Sequence, residues 1–461
     1  MNPFILPYKI EIAFPKSEYL WPIGTLFPSE TELKIEDNLA LPRGTLSILR
    51  KAFDEKLNRR RVWDLSLIEH KEPYLAAARI YMRGVACKPN EDVISLSGFS
   101  QFFIQRKFDE NFHKLLNECL VICDENIYLN WKGILHDKIH ILLKNVSELN
   151  KSLSTIAYVL KEYKRISTNI TAQKKWLIIG GGITTDLCAF AAYLSGVKFI
   201  LVPTSLLSMV DASLGGKSGV NFPPYGKNLI GAFAFPEQVL IFTDWLKTLP
   251  ESEFYSGVSE CIKHAILSGD QNLFVQLCES LNQKEKKEDT VSTFLETLLK
   301  IKASIVERDP HENGERSILN LGHTTAHALE ALSQEGSPPT ITHGEAVAVG
   351  IVFESLLAVQ LRIRSWEDHY FLLQNIERSH CLLSLSELEK RFNLTLNSEI
   401  FIEKMIHYMS HDKKSSSQKI PFVLLCSGLQ VYKADESSWT VDIAVSAIKV
   451  GWTEFLKNLR N

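Results

Sequence analysis

Three apolar segments of the chain each carry a residue able to hold a divalent metal. In "SGVSECIKHAIL", Glu260 and Lys263 are three apart and share one helix face, with Val258, Cys261, Ile262 and Ala265 around them. His323 lies in "RSILNLGHTTAHALE", and His343 opens the apolar run "THGEAVAVG". Two imidazoles and one carboxylate with open coordination positions make a catalytic zinc site. The other reading of Glu260 is an ion pair with Lys263 within the helix, contributing about 0.2–0.5 kcal/mol. Around His323, the polar residues Arg316, Asn320 and His327 recur at helical spacing. That spacing predicts one largely buried helix over 316–330 with a single polar stripe.

A second group of residues suits anions. The stretch "VPTSLLSMVDASLGGKSGVNFPPYGKNLIGAF" at 202–233 sets Asp211, Lys217, Lys227 and Asn228 among glycines and apolar residues. Lysines beside paired glycines can hold anionic oxygens while the backbone packs closely around them. In "IIGGGITTD" a strand runs into three glycines and then a helix, which lets backbone amides approach a phosphate at the helix amino terminus. Asp124 in "CDEN" ends an apolar strand, where it either accepts a ribose hydroxyl or starts a turn.

These residues need a scaffold, and the patterning supplies one. From about residue 95 to 205, short β-like runs ("CLVIC", "IHILL", "WLIIG", "KFILVP") alternate with helical segments, the rhythm of a parallel sheet with crossover helices. After about Pro250 long amphipathic segments take over, and a mainly helical domain is expected. The most apolar region, 176–202, holds three consecutive glycines plus Asp186 and Lys198, so it reads as strand, loop, helix and strand rather than a membrane span. The charge run at 283–289 is expected to be solvated, and the serines at 415–417 to form a loop.

Composition removes other classes. Hydrophobic residues at 45% and charged residues at 23% give a globular balance, and a net charge of −3 gives no reason to expect nucleic-acid or acidic-membrane partners. The eight cysteines form no CxxC pair, which excludes a zinc knuckle or redox centre of that type and leaves a reducing cytoplasm as the expected compartment. The amino-terminal residues show no signal-peptide pattern.

The motifs "GGGITTDLCAF", "VPTSLLSMVDASLGGKSGVN", "GKNLIGAF", "SECIKHAIL", "RSILNLGHTTAHALE" and "THGEAVAVG", in this order, resemble the series found in the 3-dehydroquinate synthase family of the sugar-phosphate cyclases. The resemblance implies a Rossmann-like α/β NAD-binding domain at 89–249 and a helical metal- and substrate-binding domain at 250–461. Residues 1–88 form an extension of unassigned role, with a helical basic segment at 45–61. It further implies a homodimer that converts 3-deoxy-D-arabino-heptulosonate 7-phosphate to 3-dehydroquinate and phosphate with NAD and a divalent metal, Zn2+ or Co2+. Glu260, His323 and His343 would then ligate the metal. Asp124, Asn126, Glu148, Lys151, Gly181, Gly182, Ile183, Asp186, Thr204, Ser205, Lys217, Lys227 and Thr248 would surround NAD. Asp211, Lys217, Asn228, Lys263, Lys302, Arg316, Asn320, His327 and Lys413 would serve substrate and catalysis, with Lys414 and Lys419 near Lys413. A sister cyclase acting on sedoheptulose 7-phosphate and a non-catalytic regulatory descendant are the alternatives. One departure stands out: Ser195 occupies the place of the family's usual arginine, with Lys198 the nearby cation.

Overall fold

The computed structural model describes residues 10–14, 17–20, 32–35 and 100–459, less 168–174, 223–225, 282–286, 310–311, 313, 335–339, 394, 412–418 and 436–437. The basic segment at 45–61, most of the charge run, the serines at 415–417, Lys413 and Lys414 lie outside the described residues. The chain divides into two compact units, Met1–Trp245 and Leu246–Asn461. Near its beginning β1 (Ile10–Phe14) pairs antiparallel with both β2 (Ser17–Leu20) and β3 (Glu32–Ile35).

The first unit is built on a six-stranded parallel sheet of β4 (Gln101–Gln105), β5 (Leu120–Asp124), β6 (Ile141–Leu143), β7 (Trp176–Gly180), β8 (Phe199–Pro203) and β11 (Gln238–Phe242). Its spatial order is β4-β11-β8-β7-β5-β6. Strands β5, β7 and β8 are buried at every position, which is why they read as unbroken apolar runs rather than alternating ones. The helices Leu153–Ser167 and Gly182–Ser195 are crossovers of this sheet. After β5 the chain moves to the β6 edge, and after β7 it moves the other way, to β8 and β11. The carboxyl ends of β5 and β7 therefore form the topological switch point, the place where open α/β sheets bind ligands.

A hairpin of β9 (Lys217–Phe222) and β10 (Gly226–Phe233) completes this unit, with a register shift between Gly226 and Ile230. Lys227 and Asn228 lie in that bulge, and Asn228 adopts a positive φ of 50°. Bulges of this kind re-aim side chains and occur beside active sites.

The second unit is mainly helical. Its central helix, His343–Gln360, is long and apolar enough to cross a membrane by length and composition, yet 83% of it is buried inside the protein. It is a core helix, and Phe353 on it packs edge-on against Trp452 at 5.2 Å. The expected single helix over 316–330 is corrected here. Arg316 and Asn320 sit on a 3-10 turn, Glu315–Asn320, and a separate helix runs His323–Ser333. Gly322 separates the two with φ +80°, a left-handed conformation that an α-helix cannot contain. The polar residues still fall close in sequence, but on two separate elements.

His369, 1% exposed, shares a 3.0 Å hydrogen bond with the Ser355 hydroxyl. Burial, and then the charge of Arg364, lower its pKa to about 4. The unfolded chain, with an imidazole near its ordinary value of about 6.5, binds that proton more tightly. Stability therefore falls as pH drops from about 6.5 to about 4, by about 3 kcal/mol for this group. Urea unfolding across that range should show the loss, and His369→Gln should flatten it.

Candidate active site

At the switch point, Asp124 ends β5 and Gly180 ends β7. Asp124 is 5% exposed; it accepts from the Ile127 amide at 2.9 Å, starting the helix Glu125–Asn130, and from the Thr184 hydroxyl at 3.3 Å. Burial raises its pKa, against the hydrogen bonds of Ile127, Thr184, Gly181 and Asn126. The turn-starting role is thus the one its carboxylate serves in the fold, while Asn126 is exposed on the same helix start.

The three glycines that follow differ in what demands them. A Cβ at Gly180 would meet Asp124 Oδ2 and Thr184 at 2.6 Å, so packing requires that glycine. A Cβ at Gly181 would meet only Ser205 at 3.5 Å, and one at Gly182 only Ala212 at 3.6 Å, both ordinary contacts. Neither is required by its neighbours. Both lie at the amino terminus of the helix Gly182–Ser195, where bare backbone amides can reach an anionic group. Ile183 is partly exposed on that first turn, Thr204 is 2% exposed with its amide on the Gly180 carbonyl, and Ser205 lies beside it.

One polar network ties the bulge to this region. Lys151, 4% exposed, donates to Asp186 Oδ2 at 2.5 Å and to Asn228 Oδ1 at 2.6 Å. Because Asn228 accepts through its oxygen, its amide group is left as a donor. Asn221, which the sequence reading passed over, accepts from the Asn228 amide at 3.0 Å and donates to the Glu148 carboxylate at 2.8 Å. Burial raises the Asp186 pKa, and Lys151 opposes that shift. Lys217 is exposed at the start of β9 and lines a small cavity with Thr185, Asp186 and Ser213; Asp211 lies on a π-helical turn, Ser208–Ala212. Lys227 is partly exposed.

Ser195 does not reach outward. It is 6% exposed and donates to the Ala191 carbonyl at 2.9 Å. Lys198 is engaged by Glu237 at 2.6 Å, a carboxylate that also holds Lys175 at 2.5 Å.

In the second unit, Glu260, His323 and His343 come together from three helices, with ligand atoms all within 4.8 Å of one another. The Nε2 atoms of both histidines lie 3.5 Å from Glu260 Oε1. Their other ring nitrogens are already engaged: His323 Nδ1 lies 3.1 Å from the Leu321 carbonyl, and His343 Nδ1 lies 3.3 Å from Glu330 Oε2. That fixes which nitrogen faces the cluster, as outer partners do for metal-binding imidazoles. Burial, followed by the charge of Lys263, holds the His323 pKa well below its ordinary value, so the ring offers a lone pair. At His343 burial opposes the charged form, but Glu330 and Glu260 outweigh it and raise the pKa to about 10. The Glu330 and Glu260 carboxylates thus favour positive charge at this position. Lys263, 1% exposed, meets Glu260 Oε2 at 2.5 Å, so the ion-pair reading and the ligand reading of Glu260 use different oxygens.

Arg316 is 2% exposed with its amide on Asp309 at 3.0 Å, and Asn320 donates to Glu312 at 3.3 Å. Lys302 is 4% exposed; His327 is exposed, with its ring 5.5 Å from that of His323. Thr248 belongs to the second unit. Lys419 is exposed at the start of β12 (Lys419–Phe422). Glu330 is a second residue the sequence reading passed over; its signal was its place seven residues after His323, on the same helix face. Glu330→Gln should weaken zinc binding about 10–100-fold while leaving the fold intact, as read by chelator competition and circular dichroism.

Comparison with known proteins places this arrangement. The description "3-dehydroquinate synthase N-terminal" matches residues 141–256 and "3-dehydroquinate synthase C-terminal" matches residues 257–415. A 3-dehydroquinate synthase from Prochlorococcus marinus is 35% identical over 74% of this chain and 90% of its own length. A bifunctional 3-dehydroquinate synthase/phosphatase from Fusobacterium nucleatum is also 35% identical, and this chain spans 46% of its length. A 2-deoxy-scyllo-inosose synthase, solved in complex with carbaglucose-6-phosphate, NAD+ and Co2+, shares the fold with a TM-score of 0.61 at 21% identity, over 77% of this chain and 96% of that one. The fold is thus one shared with that enzyme. The chain belongs to the 3-dehydroquinate synthase family.

Proposed function

We propose that this chain is a 3-dehydroquinate synthase, a phosphate-eliminating lyase that converts 3-deoxy-D-arabino-heptulosonate 7-phosphate to 3-dehydroquinate in the shikimate pathway. The observation that carries the reading is the Glu260, His323 and His343 cluster, with Glu260 buried and both imidazoles partly exposed and pre-oriented by Leu321 and Glu330, within a chain of this family. Bound NAD+ would supply reversible hydride removal, and a divalent metal, Zn2+ or Co2+, held by Glu260, His323 and His343 would acidify a substrate hydroxyl.

The residues divide the remaining work. Gly181, Gly182 and Ile183 present amides to the dinucleotide phosphates, and Thr204, Ser205 and Thr248 add polar contacts. Asn126, exposed where Asp124 is buried, takes a ribose hydroxyl. Glu148, Lys151, Asp186 and Lys227 shape the nicotinamide side, and Lys151 holds Asn228 so that its amide donates. Glu260, His323 and His343 hold the metal. Lys217, Asn228 and His327 bind the departing phosphate, and Lys302, Arg316 and Asn320 bind the carboxylate and hydroxyls. Lys263 pairs with the Glu260 carboxylate, Asp211 serves the reacting hydroxyls, and Lys413 binds the substrate. The protein acts as a cytoplasmic homodimer.

Phosphate release from 3-deoxy-D-arabino-heptulosonate 7-phosphate with NAD+ and Zn2+, with mass analysis of the product, tests this. Formation of 3-dehydroquinate supports it. Turnover of sedoheptulose 7-phosphate alone, or of neither substrate by folded zinc-loaded protein, overturns it. Sedimentation of the purified protein reads the dimer.

A further inference from the structure

The helix that presents His323 lacks a cap of its own. Its N-cap residue is Gly322, which has no side chain to accept from the first turn. Glycine is required there: a Cβ on Gly322 would meet Ile351 Cγ1 at 2.7 Å and the Val347 carbonyl at 2.9 Å, and φ is +80°. Reciprocally, a Cβ on Gly350 would meet the Gly322 carbonyl at 2.0 Å. The His323–Ser333 and His343–Gln360 helices are therefore pressed together at two glycines, and that close approach removes the ordinary cap.

Glu354 supplies it from the neighbouring helix. Wholly buried at 0% exposure, it accepts from the Gly322 amide at 2.7 Å through Oε2. Through Oε1 it accepts from the Thr325 amide at 3.4 Å and the Thr325 hydroxyl at 3.3 Å. The Thr325 amide is the one an N-cap side chain serves, the Gly322 amide the one a capping-box carboxylate serves, and a carboxylate is favoured there by the partial positive charge of the helix end. Glu354 also lies on the helix that begins with His343. One buried side chain thus fixes the start of the His323 helix to the helix bearing His343.

We propose that Glu354 is a positioning residue for the metal centre, setting the separation of His323 from His343 without touching the metal. The proposal rests on the metal-binding reading of the Glu260, His323 and His343 cluster. His323 is the first helical residue after Gly322, so its imidazole follows any movement of the helix start. Loss of the carboxylate frees Gly322 and Thr325 to shift and spreads the donor atoms now within 4.8 Å of one another.

The test is zinc titration against a chromophoric chelator, with the visible absorption of the Co2+ form as a second readout. The full-length protein should bind tightly, and Glu354→Gln, with an unchanged circular dichroism spectrum, should bind at least about tenfold more weakly with a shifted Co2+ band. Thr325→Ala, a milder variant that keeps the carboxylate and removes one of its donors, should move both readouts in the same direction by less. Unchanged zinc affinity and an unchanged Co2+ band in these variants, with only a lower melting temperature, overturn the proposal and leave Glu354 a stability residue. Failure of the unaltered protein to bind zinc removes the metal reading itself, an outcome visible before any variant is compared.

Discussion

His323→Ala abolishes stoichiometric zinc binding and lowers turnover by about a thousandfold or more, while the protein stays folded. The scale follows from several kcal/mol of transition-state stabilisation by a metal acting on a substrate oxygen, each 1.36 kcal/mol being tenfold in rate. His323 is the ligand to remove because its side chain is partly exposed and its Nδ1 contact is to a backbone carbonyl of its own turn. Glu260 is a poorer choice. Its replacement would leave the buried Lys263 ammonium without its 2.5 Å partner, costing about 3–5 kcal/mol and confusing lost metal with lost fold. Metal content by mass spectrometry, beside the rate of phosphate release, checks the expectation. A fully active, zinc-replete His323→Ala protein would exclude the assignment.

Lys217→Ala has the second largest effect: phosphate release slows by about 100- to 1,000-fold, the usual consequence of removing one preorganised group facing developing charge. Stability should change by no more than about 0.5 kcal/mol, because Lys217 is exposed at the first position of β9. Single-turnover kinetics with bound NAD+ separates the elimination step from substrate binding. Full activity in this variant would place the phosphate elsewhere than the glycine-rich stretch.

The strands were readable because a parallel sheet covered on both faces leaves no polar alternation, so β5, β7 and β8 appear as unbroken apolar runs. The candidate metal donors Glu260, His323 and His343 were readable because a carboxylate and two imidazoles are conspicuous on apolar helices. The polar stripe at 316–330 was misread as one helix: periodicity cannot register a single left-handed glycine, and Gly322 turns the chain between Asn320 and His323. Asn221 was passed over because an asparagine in a glycine-rich run looks like turn chemistry until its contacts with Glu148 and Asn228 are seen. Glu354 gave no signal either; a lone acid in an apolar run has no meaning until the helix end it caps is known.

The sequence by itself determined the residue types, the order of the motifs, the family and the chemistry open to a lysine- and histidine-bearing chain, because those depend on side chains and local spacing. The tertiary structure decided which nitrogen of each histidine faces the cluster, which glycines are demanded by packing, and that Lys198 is held by Glu237. Apart from the local contact of His323 with the Leu321 carbonyl, those outcomes depend on contacts between residues distant in the chain. Hydrogen-bond partnership and close packing are set only when the elements meet, and no local pattern encodes them.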